Sequence, residues 1–163
     1  MKLGRPFRSL QVFQRSMKKK KRIRPLAICV FRDRDRILVA EGYDPVKDEH
    51  FYRPLGGGIE FGEPSTETIC RELREEIGEE VEEESLKYLG TLENIFTFSG
   101  FPGHEILLIY DGRLKNPGLY EQASISGNEV DGSEILAEWK ELDEFRTGKA
   151  ILYPTGLIEM LPE

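Results

Sequence analysis

The feature that most limits what this 163-residue chain can fold into is one run, GGGIEFGEPSTETICRELREEIGEE, from Gly56 to Glu80. Three glycines are followed by eight glutamates, offset only by Arg71 and Arg74. From Pro64 to Ile77 the spacing is helical, with Pro64 suited to the first helical position and Gly78 to the stop. At about 100° per residue, Ile69, Cys70, Leu73 and Ile77 form an apolar stripe that can bury against a sheet. Glu72, Glu75, Glu76 and Glu79 form a second stripe beside it. The i+4 partners of Glu72 and Glu75 are Glu76 and Glu79, so repulsion of a few tenths of a kcal/mol per pair accumulates. A solvated acidic face is the plain explanation. The sharper one is a cation: Mg2+ takes hard oxygen ligands and bridges carboxylates to substrate phosphates. Gly56-Gly57-Gly58 strengthens the second, because glycines let a ligand approach backbone N–H and C=O groups.

The rest of the chain supplies the sheet. Pro25–Phe31 and Ile37–Ala40 are apolar runs separated by RDRD, which predicts a hairpin. Residues 41–50 are predicted to be a loop, and FYRPL a strand end leading into the glycines. LKYLGTLENIFTFS and HEILLIY predict two further strands around a GFPG turn. Residues 111–134, rich in Gly, Asn, Asp and Ser, are expected to form a long surface loop. AEWKEL predicts a short strand and then a helix near Leu142–Arg146, and YPTGLIEML a closing helix. Strands on both sides of one strong helix predict an α+β fold, an α/β/α sandwich with a mixed sheet.

Charge divides the chain unevenly. Of its 23 Lys and Arg, ten lie in residues 1–24, which hold no acid; the remainder sets 13 against all 30 carboxylates, a formal −17. We therefore divide it into a basic extension, 1–23, and a single domain, 24–163. Residues 1–16 have a transit-peptide look, and Met17 is an alternative start. The acidic body is a poor nonspecific nucleic-acid binder. MKKKKRIR could touch RNA or anionic lipid, although basic arms are commonly just solvated. No apolar run approaches the roughly 20 residues that span a bilayer. Cys29 and Cys70 sit among apolar residues and read as small core side chains in a reducing, cytoplasmic setting. With so few Cys and His, a metal here must be held by oxygen.

The same stretch resembles the signature of the Nudix (MutT-like) hydrolases: Gly57, Glu63, then Arg71-Glu72-Leu73-Arg74-Glu75-Glu76-Ile77-Gly78. One fixed position departs, where Glu79 replaces an apolar residue, and Val81 is expected to supply that packing. Leu55 stands where many members have proline. The resemblance implies metal-dependent hydrolysis of a nucleoside diphosphate linked to another group. It implies Mg2+ or Mn2+ held by Glu72, Glu75, Glu76 and the Gly56 carbonyl. Glu72 or a more distant carboxylate would orient or deprotonate the attacking water. Arg71 would pair with Glu67 or Glu63 and aim the glutamates.

Outside the motif, Glu105 and Glu134 are candidates for the further carboxylate, with Glu105 favoured, and His104 a weaker phosphate contact. Arg53 could meet a phosphate. Tyr52, Phe96, Phe98 and Tyr153 could stack on a base. The expected partner is a small nucleotide, with the protein a monomer or homodimer. The alternatives are a catalytically weak nucleotide sensor and an RNA-associated factor that uses the basic arm.

Overall fold

The computed structural model describes residues 21–128 and 134–161. Its central strand, β1 (Arg24–Asp33), is core on both faces. Leu26, Ile28 and Val30 face one way and Ala27, Cys29 and Phe31 the other, all at most 2% exposed. Alternation of side chains along a strand makes this possible, and it requires a layer on each face.

β1 and β2 (Arg36–Asp44) form the expected hairpin, but they pair only beside the turn, at Arg32↔Ile37 and Asp33↔Arg36. Beyond that point they part. β4 (Leu55–Gly58) takes the vacated edge of β1, and β3 (Glu49–Arg53) pairs with β2. On its other edge β1 runs parallel to β6 (Phe101–Leu114), which carries β5 (Val81–Phe98). β2 also pairs with β8 (Glu134–Glu141), which carries β7 (Ser124–Asn128). The mixed sheet thus splits into two leaves, joined at the β1–β2 turn. Pro54 alone separates β3 from β4.

α1 (Ser65–Ile77) covers one face, packing Ile69, Cys70, Leu73 and Ile77 against Ala27, Cys29, Phe31 and Leu55. α2 (Leu142–Arg146) and α3 (Leu157–Met160) cover the other with Leu142, Phe145 and Leu157. This is the expected α/β/α arrangement of an α+β fold. Pro64 caps α1 and Gly78 ends it in the left-handed region at φ 70°. Glu79 consequently lies beyond the helix, so the acidic stripe has three members rather than four. Val81 is buried in the α1-side core.

Some local expectations need correction. Residues 41–50 are not all loop, since β2 continues to Asp44 and β3 begins at Glu49. The turn between β5 and β6 is Ser99-Gly100, and Phe101 already pairs with Phe98. Residues 111–134 are not one long loop: β6 extends to Leu114, a 3-10 turn spans Pro117–Glu121, and β7 follows. Leu119 and Ile125 are enough to bury this segment against the α1-side core. Its Gly127 marks close approach rather than a turn. A Cβ there would come within 1.8 Å of the Glu76 carbonyl oxygen. Of the basic extension, residues 1–20 lie outside the described residues, and 21–23 are exposed without regular structure. No helix among the described residues is long and apolar enough to cross a membrane.

Candidate active site

Arg71 organises the acidic face of α1. Its Nε donates to Glu63 Oε1 at 2.8 Å and its Nη2 to Glu63 Oε2 at 3.0 Å, a two-pronged pair. Nη2 also donates to the Gly58 carbonyl at 2.9 Å, while Nη1 reaches Glu72 Oε1 at 2.8 Å and Glu75 Oε2 at 3.3 Å. The loop partner is Glu63, not Glu67. Glu63 also accepts from Thr68 Oγ1 at 2.7 Å and from the Glu60 amide at 3.1 Å. Arg71 first, then Thr68, lowers the Glu63 pKa to about 2. One guanidinium therefore fastens the loop to the helix and sets the direction of two further carboxylates.

The glycines receive those carboxylates. Gly57 lies against Glu72, so close that a Cβ would stand 2.4 Å from its Cδ. The Gly56 amide donates to Glu76 Oε2 at 3.3 Å. Burial raises the Glu72 pKa, with Arg71 opposing it. Among the described residues no three His, Cys, Asp or Glu are drawn together tightly enough to hold an ion as arranged. Arg71 instead spans Glu72 and Glu75. The donor set nevertheless fits a hard divalent cation: three carboxylates on successive positions of one helix face, one of them a buried Glu72 whose ionised form lacks full compensation.

A second cluster stands where the two leaves part. Glu105 is only 1% exposed, and neither of its carboxylate oxygens has a hydrogen-bond partner. Arg24 Nη1 stands 3.6 Å from Oε1 and Arg53 Nη2 3.9 Å from Oε2. Arg24 lies opposite Glu105 in the parallel β1–β6 register, and Arg53 comes from the other leaf. Glu72 is among the charges acting on Arg24. Arg24 was invisible to sequence reasoning, because nothing local in the sequence announces a partner some eighty positions away.

The remaining candidates are dispersed. The Tyr52 ring packs against Phe145 at 6.0 Å and beneath Lys140 Nζ at 4.8 Å, within the α2-side core. Phe98 and Tyr153 meet through Phe51, at ring separations of 5.9 and 5.4 Å. Sequence reasoning missed Phe51, although Gly42, which lets its ring lie over β2, was a signal. The Phe96 ring covers Gly103, and His104 Nε2 pairs with Glu93 at 2.8 Å. Glu134 is exposed at the start of β8, beside the undescribed 129–133. A cleft of about 820 Å3, lined by Cys70, Arg74, Lys115 and Tyr120 among others, lies on the side of α1 away from Glu72. Its charges are largely paired with one another, as in Arg113–Glu82 and Lys115–Glu80.

Comparison with known proteins agrees with this geometry. The NUDIX domain family model matches residues 20–158. A NUDIX hydrolase from Nitrosomonas europaea is similar in structure, with TM-score 0.60, 18% identity, and 85% of this chain and 86% of that one covered. A MutT NUDIX hydrolase from Burkholderia pseudomallei gives TM-score 0.53 and 21% identity, covering 76% and 86%. At these identities the likeness speaks for the fold. No curated protein matches the chain. Hydrolases of this kind act on nucleoside diphosphate derivatives and generally use divalent metal ions. The family match spans the glycine strand, α1 and both leaves of the sheet, and by it the chain belongs to the Nudix hydrolases.

Proposed function

We propose that this protein hydrolyses a pyrophosphate bond in a nucleoside diphosphate linked to another group, using Mg2+ or Mn2+ held by Glu72, Glu75, Glu76 and the Gly56 carbonyl. The observation that carries this reading is the Arg71 junction. It spends five hydrogen bonds on presenting carboxylates beside the bare backbone of Gly56–Gly58. A merely solvated face has no need of such fixing. A divalent cation bound there supplies charge neutralisation to the diphosphate and polarises the phosphorus under attack. The chain's own residues do the rest. Gly57, lacking a Cβ, keeps the approach to Glu72 open. Glu72, its pKa raised by burial, takes the proton from the attacking water. As water adds to phosphorus, the P–O bond to the departing phosphate breaks. Arg71 acts as a positioning residue, holding Glu72 and Glu75 in place through the transfer.

The test is phosphate release from a nucleotide panel with Mg2+ or Mn2+, coupled to a phosphatase. Turnover of at least one member, reduced a hundredfold or more in Glu76→Gln, is expected. Tight nucleotide binding with no turnover anywhere in the panel would replace the hydrolase reading with that of a sensor.

A further inference from the structure

The proposed function uses Glu72, Glu75 and Glu76 but leaves the second cluster unexplained. Stability alone would not build it this way. A buried carboxylate is tolerable when ion pairs close to hydrogen-bond distance, and costly otherwise. Here both guanidiniums stand off, at 3.6 and 3.9 Å, and the carboxylate makes no hydrogen bond. The two cations also exceed what one carboxylate can neutralise, leaving a net positive charge in a chain of formal charge −7. Each guanidinium carries five donors in a planar fork, far more than the two oxygens of Glu105 can accept. Both arginine side chains reach solvent, at 27% and 36% exposure, whereas Glu105 does not. The cluster also lies at the opening between the leaves. There β1 runs beside the glycine strand, with the Ile59 amide donating to the Pro25 carbonyl at 3.0 Å.

We infer that Arg24 and Arg53, held from below by Glu105, form an anionic subsite for a phosphoryl group beyond the diphosphate at the helix carboxylates, and favour substrates that end in phosphate. The inference rests on reading those carboxylates as the diphosphate site. Arginine forks match the oxygens of a phosphate, whereas a neutral sugar would leave both charges unanswered. Glu105 is then a positioning residue: it supplies the one fixed point from which arms on two separate leaves converge. A nucleoside triphosphate fits this description, and a diphosphate capped by an uncharged sugar does not.

Two measurements on the full chain test this. The first is calorimetric binding of inorganic triphosphate with chelator present, which reads the arginines without the metal site. Arg24→Gln and Arg53→Gln should each weaken binding at least tenfold, Arg53→Lys should recover part of the loss, and Glu76→Gln should not weaken it. Unchanged binding in both Gln variants, with native melting curves, would overturn the subsite. The second is kinetic. In the same Gln variants kcat/KM for a nucleoside triphosphate should fall at least tenfold further than for a sugar-capped diphosphate, mainly through KM. Equal losses on both substrates would remove the selectivity. Glu105→Gln should likewise act through KM on the triphosphate. A collapse of kcat on every substrate would instead make Glu105 the base. If the wild type turns over no nucleotide, the hydrolase reading fails, while the chelator experiment still decides whether the arginines bind phosphate. Arg53→Lys, which keeps a cation beside Glu105, guards against mistaking unfolding for lost binding.

Discussion

Glu63 and Glu72 share Arg71 as a partner, yet their ionisations shift in opposite directions, and the difference is measurable. The Glu63 pKa falls from 4.5 to about 2 because Arg71 and Thr68 bond its charged form. Its stabilisation is therefore complete above the ordinary value and is lost as pH falls from about 4.5 toward 2. In thermal melts Glu63→Gln should start below wild type at pH 7 and converge with it across that window. Parallel curves would show that the pair contributes nothing. The Glu72 pKa is raised, burial outweighing Arg71. Its contribution to stability is present below the ordinary carboxylate range and lost as pH rises through the raised value. Glu72→Gln should therefore melt above wild type at pH 7, with the gap closing as the medium becomes acidic, and should abolish turnover. A variant that melts lower at pH 7 would mean that the Arg71 bond outweighs the burial penalty.

At the level of elements, the glycine strand separates folding from function across two adjacent positions. A Cβ on Gly56 would meet backbone, 2.3 Å from the Ala27 carbonyl oxygen, at φ 139°. Neither neighbour can yield, so Gly56→Ala should cost about 1–3 kcal/mol, read from the denaturant midpoint. A Cβ on Gly57 would meet only the end of the Glu72 side chain, which can swing aside. Gly57→Ala should therefore hold its midpoint to within about 1 kcal/mol while losing most of its turnover. Loss of stability at Gly57 equal to that at Gly56 would refute this division. The same strand shows where sequence reading stops. α1 was legible because its stripes, its Pro64 and its Gly78 all act within the helix itself. The glycines and residues 111–134 were misread as loop because glycine signals a turn and a close approach in the same way. The approaching partners, Ala27 and the Glu76 carbonyl, are set by tertiary packing. Glu105 was legible as a candidate, but its company was not, since the β1–β6 register that brings Arg24 beside it has no local period.

Across the whole molecule, the site exists only when the leaves, the glycine strand and α1 are assembled. Gly56 lies on β4, Glu72, Glu75 and Glu76 on α1, and both are placed by packing on β1. The unfolded chain has no such arrangement, so a cation that binds the native site must stabilise the fold by linkage. At a concentration one hundred times its dissociation constant that gain is about 2.7 kcal/mol. For a chain of this size each kcal/mol raises Tm by about 2–4 °C, so saturating Mg2+ should lift the wild-type melt by roughly 5–10 °C. Glu76→Gln removes a proposed ligand while keeping a good helix former of nearly the same shape. It also relieves repulsion with Glu72 at i−4, worth a few tenths of a kcal/mol. Without metal the variant should melt at or slightly above wild type, and with Mg2+ it should gain far less, so that the order of the two melts reverses as the cation is added. Equal Mg2+ shifts in both proteins, with turnover retained in the variant, would remove Glu76 from the site and leave the acidic face of α1 without a metal role.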